Sequence, residues 1–178
     1  MTVFPATPVP VTLVLGGAAS GKSRFAQELA ERHPGDLLYV ATAQAGDAEM
    51  AERIARHQRV RGERWRTLEA PFDLAATVPA AAGHGAVLVD CVTLWLTNLL
   101  LAGDDPRAVW PAVDAFIAAL EHLPAPLVLV SNEVGQGIVP EHALARVFRD
   151  LAGEVNQRLA ARADRVWLVT AGLPLQLK

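Results

Sequence analysis

Residues 16–23 read Gly-Gly-Ala-Ala-Ser-Gly-Lys-Ser, the spacing G-x-x-x-x-G-K-[ST]. Glycines at these places let a backbone fold tightly, so that the N–H groups of Gly16, Gly17, Ala18, Ala19, Ser20 and Gly21 and the following helix N-terminus can face phosphate oxygens. In that pattern the Lys22 ammonium reaches the β/γ-phosphates of a nucleoside triphosphate, and the Ser23 hydroxyl ligates Mg²⁺. The alternative, a glycine-rich turn with no ligand, fits poorly with an apolar run before the motif and a helical pattern after it. Asp90 closes a second apolar run, Ala86–Val89, where an acid can join the magnesium shell. An acid in that place can also cap the next helix. A third group is Glu49, Arg53, His57 and Arg61, spaced by fours and so stacked along one helix face, with Arg56 and Arg59 nearby. Such a face could hold a triphosphate while the imidazole attacks phosphorus. Spacing alone favours the plainer reading, a solvated basic face. Glu69 and Glu133 sit next to predicted strands and carry no further signal of their own.

These residues need a scaffold, and the chain supplies one. Val11–Leu15, Leu37–Ala41, Ala86–Asp90, Leu127–Ser131 and Arg165–Thr170 are short, apolar and rich in β-branched residues, which predicts five buried strands. Their apolarity is continuous rather than alternating, so both faces must be covered. The expected architecture is α/β: a P-loop NTPase-type, RecA-like domain with a largely parallel sheet flanked by helices. Helices are predicted from Lys22 to about Arg32, from Ala48 to about Arg59, and up to about His122 after an exposed Gly/Asp/Pro loop at 102–111. Leu144, Phe148, Leu151, Val155 and Leu159 predict a long amphipathic helix, with Pro140 in its first turn.

With 178 residues, 52% of them hydrophobic, the chain suits one compact domain over residues 1–178. A net charge of −3 with no long block of one sign gives no electrostatic case for a nucleic-acid or anionic-membrane partner. The one cysteine, Cys91, cannot form an intrachain disulfide and suits a reducing compartment, so the cytoplasm is expected. No Lys or Arg precedes Gly21, so a signal-peptide n-region is not expected. The greasiest stretch, 86–102, is interrupted by Asp90, Thr93, Thr97 and Asn98 and predicts no membrane span.

Beyond the P-loop, the chain carries Tyr39-Val-Ala-Thr42, Arg53-Ile-x-x-His57 after Glu49-Met, Trp65-Arg-Thr-x-Glu69, Val89-Asp-Cys-Val92, Thr97-Asn-Leu99, Asn132-Glu-Val-Gly-x-Gly-Ile-Val-Pro140 and Phe148-Arg-Asp-x-Ala-Gly through Val155-Asn-Gln-Arg-Leu159. In this order they resemble the bifunctional adenosylcobinamide kinase/adenosylcobinamide-phosphate guanylyltransferase family, from the P-loop almost to the C-terminus. The resemblance implies two activities in cobalamin biosynthesis or salvage. The aminopropanol hydroxyl of adenosylcobinamide is phosphorylated with ATP or GTP, and GMP is then transferred from GTP through a guanylyl-histidine. It implies His57 as that histidine, which reverses the reading from spacing. It also implies nucleotide contacts at the P-loop, at Ala41, Thr42 and Ala43, at Gln58, Arg59, Val60 and Arg61 just after the histidine, at Glu69 and at Asp90. With His57 in that role, the spacing of four puts Arg53 beside the triphosphate. A homotrimer is the arrangement the family implies. Two departures stand out: Ala19 occupies the place of a family arginine, and Asp90 stands where some relatives have Glu.

Two other functions compete. A kinase-only enzyme would share the P-loop but leave His57 idle. A GTP-binding switch would need a guanine-reading Asn-Lys-x-Asp, which the sequence lacks, and its one Asp-x-x-Gly match, Asp150-Leu-Ala-Gly153, falls inside the predicted long helix.

Overall fold

The computed structural model describes residues 9–44 and 62–178. Strands β1 (Val11–Gly16), β2 (Leu37–Ala41), β3 (Trp65–Glu69), β4 (Ala86–Asp90), β5 (Leu127–Asn132), β6 (Arg165–Thr170) and β7 (Leu173–Gln176) form one sheet in the order β3-β2-β4-β5-β1-β6-β7. All neighbouring pairs run parallel except the β6–β7 hairpin. Among the described residues, four α-helices flank them: α1 (Lys22–Glu31), α2 (Val92–Leu101), α3 (Trp110–Ala119) and α4 (Ala143–Arg162).

The continuous apolar runs have a simple cause. Alternate residues of each strand face opposite sides of the sheet. Leu13 and Leu15, Val87 and Val89, and Leu129 join one core with Trp95, Phe116 and Val155. Val14, Leu88, Val128 and Val130 join a second core with Ala26 and Ala30 of α1. Trp95 is fully buried and its indole N–H donates to Phe72 O at 2.7 Å, so its one polar atom is satisfied.

All five expected strands are present, and the predicted helix at 48–59 lies outside the described residues. The sheet also holds two strands that the apolar runs did not announce. β3 and β7 are edge strands with largely exposed side chains, so burial imposes no continuous apolar sequence on them, and Pro174 in β7 is tolerated at an edge. Helix α2 was hidden inside the greasy stretch 86–102, where strand and helix follow each other with one residue between them. One expectation is corrected: α4 starts at Ala143 with His142 in the cap position, so Pro140 lies ahead of the first turn. There the Pro140 carbonyl accepts from Arg146 Nη1 at 2.9 Å. Among the described residues, no helix is long and apolar enough to cross a membrane.

Candidate functional site

The segment 16–23 leaves β1 and enters α1, as the motif requires. Gly16 packs where no side chain fits: a Cβ there would lie 2.5 Å from Ser20 Oγ and 2.6 Å from the Val169 carbonyl oxygen of β6. Gly21 caps α1 at φ +92°, a conformation that favours glycine, and Ala19 also has a positive φ of 54°. The loop is braced from outside by the β6–β7 turn, where Gly172 N–H donates to Ser20 O at 2.8 Å. Lys22 is buried, and its Nζ donates across the loop to Gly17 O at 3.0 Å. Ser23 follows, half-buried, while Gly17, Ala18 and Ala19 are exposed and open to a ligand.

Replacing Gly16 with alanine should therefore be costly. The Val169 carbonyl is held in the β1–β6 ladder and cannot retreat. Overpacking of this kind costs about 1–3 kcal/mol, or a melting-temperature drop of roughly 2–12 °C in a chain this size. Thermal denaturation of Gly16→Ala, with nucleotide affinity measured alongside, checks this. An unchanged melting point with unchanged affinity would contradict the packing described.

The other described site residues gather at the same edge of the sheet. Glu69, Ala41 and Asp90, at the C-terminal ends of β3, β2 and β4, pair across one row of the register. One strand further, Gly16 pairs with Asn132 at the end of β5. In open α/β sheets, ligands bind outside this carboxyl edge. Thr42 is fully buried, and its hydroxyl donates to Cys91 O and accepts from Cys91 N–H, both at 2.8 Å. Its hydroxyl thus ties β2 to β4 at the edge, and its carbonyl accepts from Asn98 Nδ2 at 2.8 Å. Ala43 is half-buried and Glu69 exposed. Asp90 is half-buried, and Cys91 rather than Asp90 takes the cap position of α2, which no side chain caps. Burial first, and then the Asp90 charge, push the Cys91 thiol above its ordinary range, so it packs as a neutral group. Its Sγ lies 3.1 Å from Thr93 Oγ1. Arg53, His57, Gln58, Arg59, Val60 and Arg61 lie outside the described residues, as do Glu49 and Arg56.

The structure adds a polar network that the apolar pattern of α4 concealed. Asn156, almost fully buried, accepts from Ser131 Oγ at 2.7 Å and donates through Nδ2 to Asn132 O at 3.2 Å and to Glu133 Oε1 at 3.1 Å. Asn132 Nδ2 in turn donates to Thr93 Oγ1 at 2.6 Å. Glu133 thus sits just past the end of β5, between the strands that carry Asp90 and the P-loop. The available signal was an acid after a continuous apolar run, the same one that singled out Asp90.

The comparisons agree with this geometry. Residues 12–177 match the family model described as cobinamide kinase / cobinamide phosphate guanyltransferase. The chain is 51% identical over 167 residues to the bifunctional adenosylcobalamin biosynthesis protein CobP of Pseudomonas aeruginosa, covering 93% of this chain and 96% of that protein. It is 48% identical over 179 residues to the bifunctional adenosylcobalamin biosynthesis protein CobU of Salmonella typhimurium, covering 93% and 98%. Its fold is similar to the crystal structure of the RadB recombinase, with a TM-score of 0.52 at 16% identity, over 90% of this chain and 74% of that one. That likeness shows the RecA-like P-loop fold alone. On the strength of the P-loop between β1 and α1 and of matches that span nearly its whole length, the chain belongs to the cobinamide kinase / cobinamide phosphate guanyltransferase family.

Proposed function

We propose that this chain runs two reactions from one P-loop: phosphorylation of the adenosylcobinamide hydroxyl by a nucleoside triphosphate, then transfer of GMP from GTP to the new phosphate through His57. The chain is a bifunctional kinase and guanylyltransferase of adenosylcobalamin biosynthesis. The observation that carries it is the shaped phosphate cradle, with Lys22 buried across it, at the same sheet edge as Asp90, Ala41 and Glu69.

In the first reaction Lys22 and the N-terminus of α1 hold the β/γ-phosphates and take up charge that develops as the γ-phosphoryl moves. Ser23 in the cradle and Asp90 at the end of β4 would supply two hard oxygen donors, a set that fits Mg²⁺, an ion commonly held by one or two protein groups and substrate phosphates. When bound, Mg²⁺ neutralises phosphate charge. In the second reaction, the cradle holds GTP, residues 41–43 and Glu69 contact the nucleotide, and the imidazole of His57 receives GMP while Arg53 and Arg61 offset the phosphate charge. Gln58, Arg59 and Val60 complete that contact. The acceptor in both reactions is adenosylcobinamide or its phosphate, with ATP or GTP as donor in the first. We place residues 1–178 in one domain, the protein in the cytoplasm, and three copies in the working assembly.

Product analysis with cobinamide, ATP and GTP supplied separately tests the reading: a triphosphate with cobinamide should give the phosphate, and GTP should then give the GDP derivative. Phosphate without any GDP derivative at saturating GTP would leave a kinase-only enzyme. Asp90→Asn should raise the Mg²⁺ concentration needed for half-maximal rate and leave the melting temperature near wild type. Unchanged metal dependence with a lowered melting temperature would make Asp90 a structural residue instead.

A further inference from the structure

The backbone of Glu133 is fixed against the P-loop. Its N–H donates to Gly16 O at 3.1 Å, which extends the β1–β5 ladder one residue beyond the strand and anchors Glu133 to the first residue of the cradle. Its side chain is held as well, because Oε1 accepts from Asn156 Nδ2. The orientation of that amide is determined: the Asn132 carbonyl can only accept, so it must meet Nδ2, and Ser131 Oγ donates to Oδ1 on the other side. Ser131 and Asn156 are themselves buried, Asn156 among Leu151, Ala152, Val155 and Leu159 on the apolar side of α4. A carboxamide set in such a face is costly unless it is fully bonded, and here one of its three bonds holds one oxygen of the Glu133 carboxylate. The other oxygen, Oε2, has no hydrogen-bond partner among the described residues. Glu133 is half-buried.

We infer that Glu133 is the general base of the kinase reaction, a role that rests on the function proposed above. A phosphoryl acceptor must lie in line with the γ-phosphate, beyond the cradle and at the carboxyl edge where β1 and β5 end. There Oε2 takes the hydroxyl proton as the acceptor oxygen bonds to the γ-phosphorus. The bond from that phosphorus to the β–γ bridging oxygen breaks, the nucleoside diphosphate leaves with its electron pair, and the carboxylic acid returns its proton to solvent. Asp90 ends the neighbouring strand, so two acids on adjacent strands divide the work, one beside the metal and one beside the acceptor hydroxyl. Attack by a neutral imidazole on the α-phosphorus of GTP needs no base, so the guanylyl step does not call on Glu133.

Glu133→Gln keeps the shape and still offers Asn156 an acceptor oxygen. It should lower kcat for formation of cobinamide phosphate about 100-fold or more, with KM for the triphosphate within about threefold, because general-base catalysis contributes 10²–10⁴-fold to the transition state and not to ground-state binding. Labelling of the protein by GTP should stay within about threefold of wild type. In Glu133→Ala, sodium acetate should restore kinase rate in a saturable way, which a purely structural residue would not allow. The role is overturned if Glu133→Gln keeps the wild-type kinase rate, if it loses both activities together, if its defect is removed by raising Mg²⁺, or if acetate restores nothing. Should Glu133→Gln fail to fold, rescue of Glu133→Ala decides alone. A wild-type protein that makes no cobinamide phosphate would instead sink the functional reading on which the role depends.

Discussion

Lys22→Ala should depress cobinamide phosphorylation and guanylyl transfer together, each by about 10³-fold or more, the scale of losing a preorganised charge at a transition state. The Lys22 stem is buried and its ammonium reaches across the cradle to Gly17 O, so the charge is placed before any nucleotide arrives. A pre-placed cation in a partly dry site costs little reorganisation when charge develops, and alanine offers no substitute. One cradle serving two donors makes the losses parallel. Phosphate formation from ATP and labelling of the protein by GTP, measured on the same preparation, check it. The melting temperature must be followed alongside, because the side chain also closes the loop. Normal guanylyl transfer in a folded Lys22→Ala protein would mean a second nucleotide site.

The sheet was legible in its apolar strands, the partly exposed β6 among them, and illegible in the edge strands β3 and β7. β1, β2, β4 and β5 are covered on both faces, and each reads as an uninterrupted apolar run for that reason. β3 carries Arg66 and Thr67 exposed at the sheet edge, so its pattern looks like a loop until Leu37–Ala41 is seen paired beside it. The P-loop could be read from spacing because its chemistry depends on backbone shape, and shape depends on glycine at fixed places. The Gly16 contact with Val169 was invisible, since 153 residues separate the two and only the β1–β6 pairing brings them together. Glu133 was equally hidden. Nothing local distinguishes it from any acid after a strand, and its value comes from Asn156, which arrives from the buried side of α4 beside Leu151, Ala152, Val155 and Leu159.

His57→Ala should separate the two activities that Lys22→Ala removes together. Glu49, Arg53, His57 and Arg61 recur at intervals of four, a spacing that on a helix would set Arg53 and Arg61 one turn to either side of the imidazole. A triphosphate along that face would have its α-phosphorus within reach of the ring and part of its charge offset by the flanking guanidinium groups. Attack there would expel pyrophosphate and leave GMP on nitrogen. The phosphorus–nitrogen bond formed breaks in acid and survives alkali, a pattern that a serine or tyrosine ester does not show. Phosphoryl transfer to a hydroxyl runs directly, by positioning and electrostatics, and needs no covalent intermediate. The His57→Ala protein should therefore take up no label from GTP and make no GDP derivative, yet form cobinamide phosphate within about tenfold of the wild-type rate. Combined with Glu133→Gln, which should do the reverse, it gives a pair of variants each lacking one half-reaction. Acid-labile label persisting on His57→Ala would move the nucleophile to another residue. Equal loss of both activities would make His57 a shared binding residue, because only a group used in one reaction can split them.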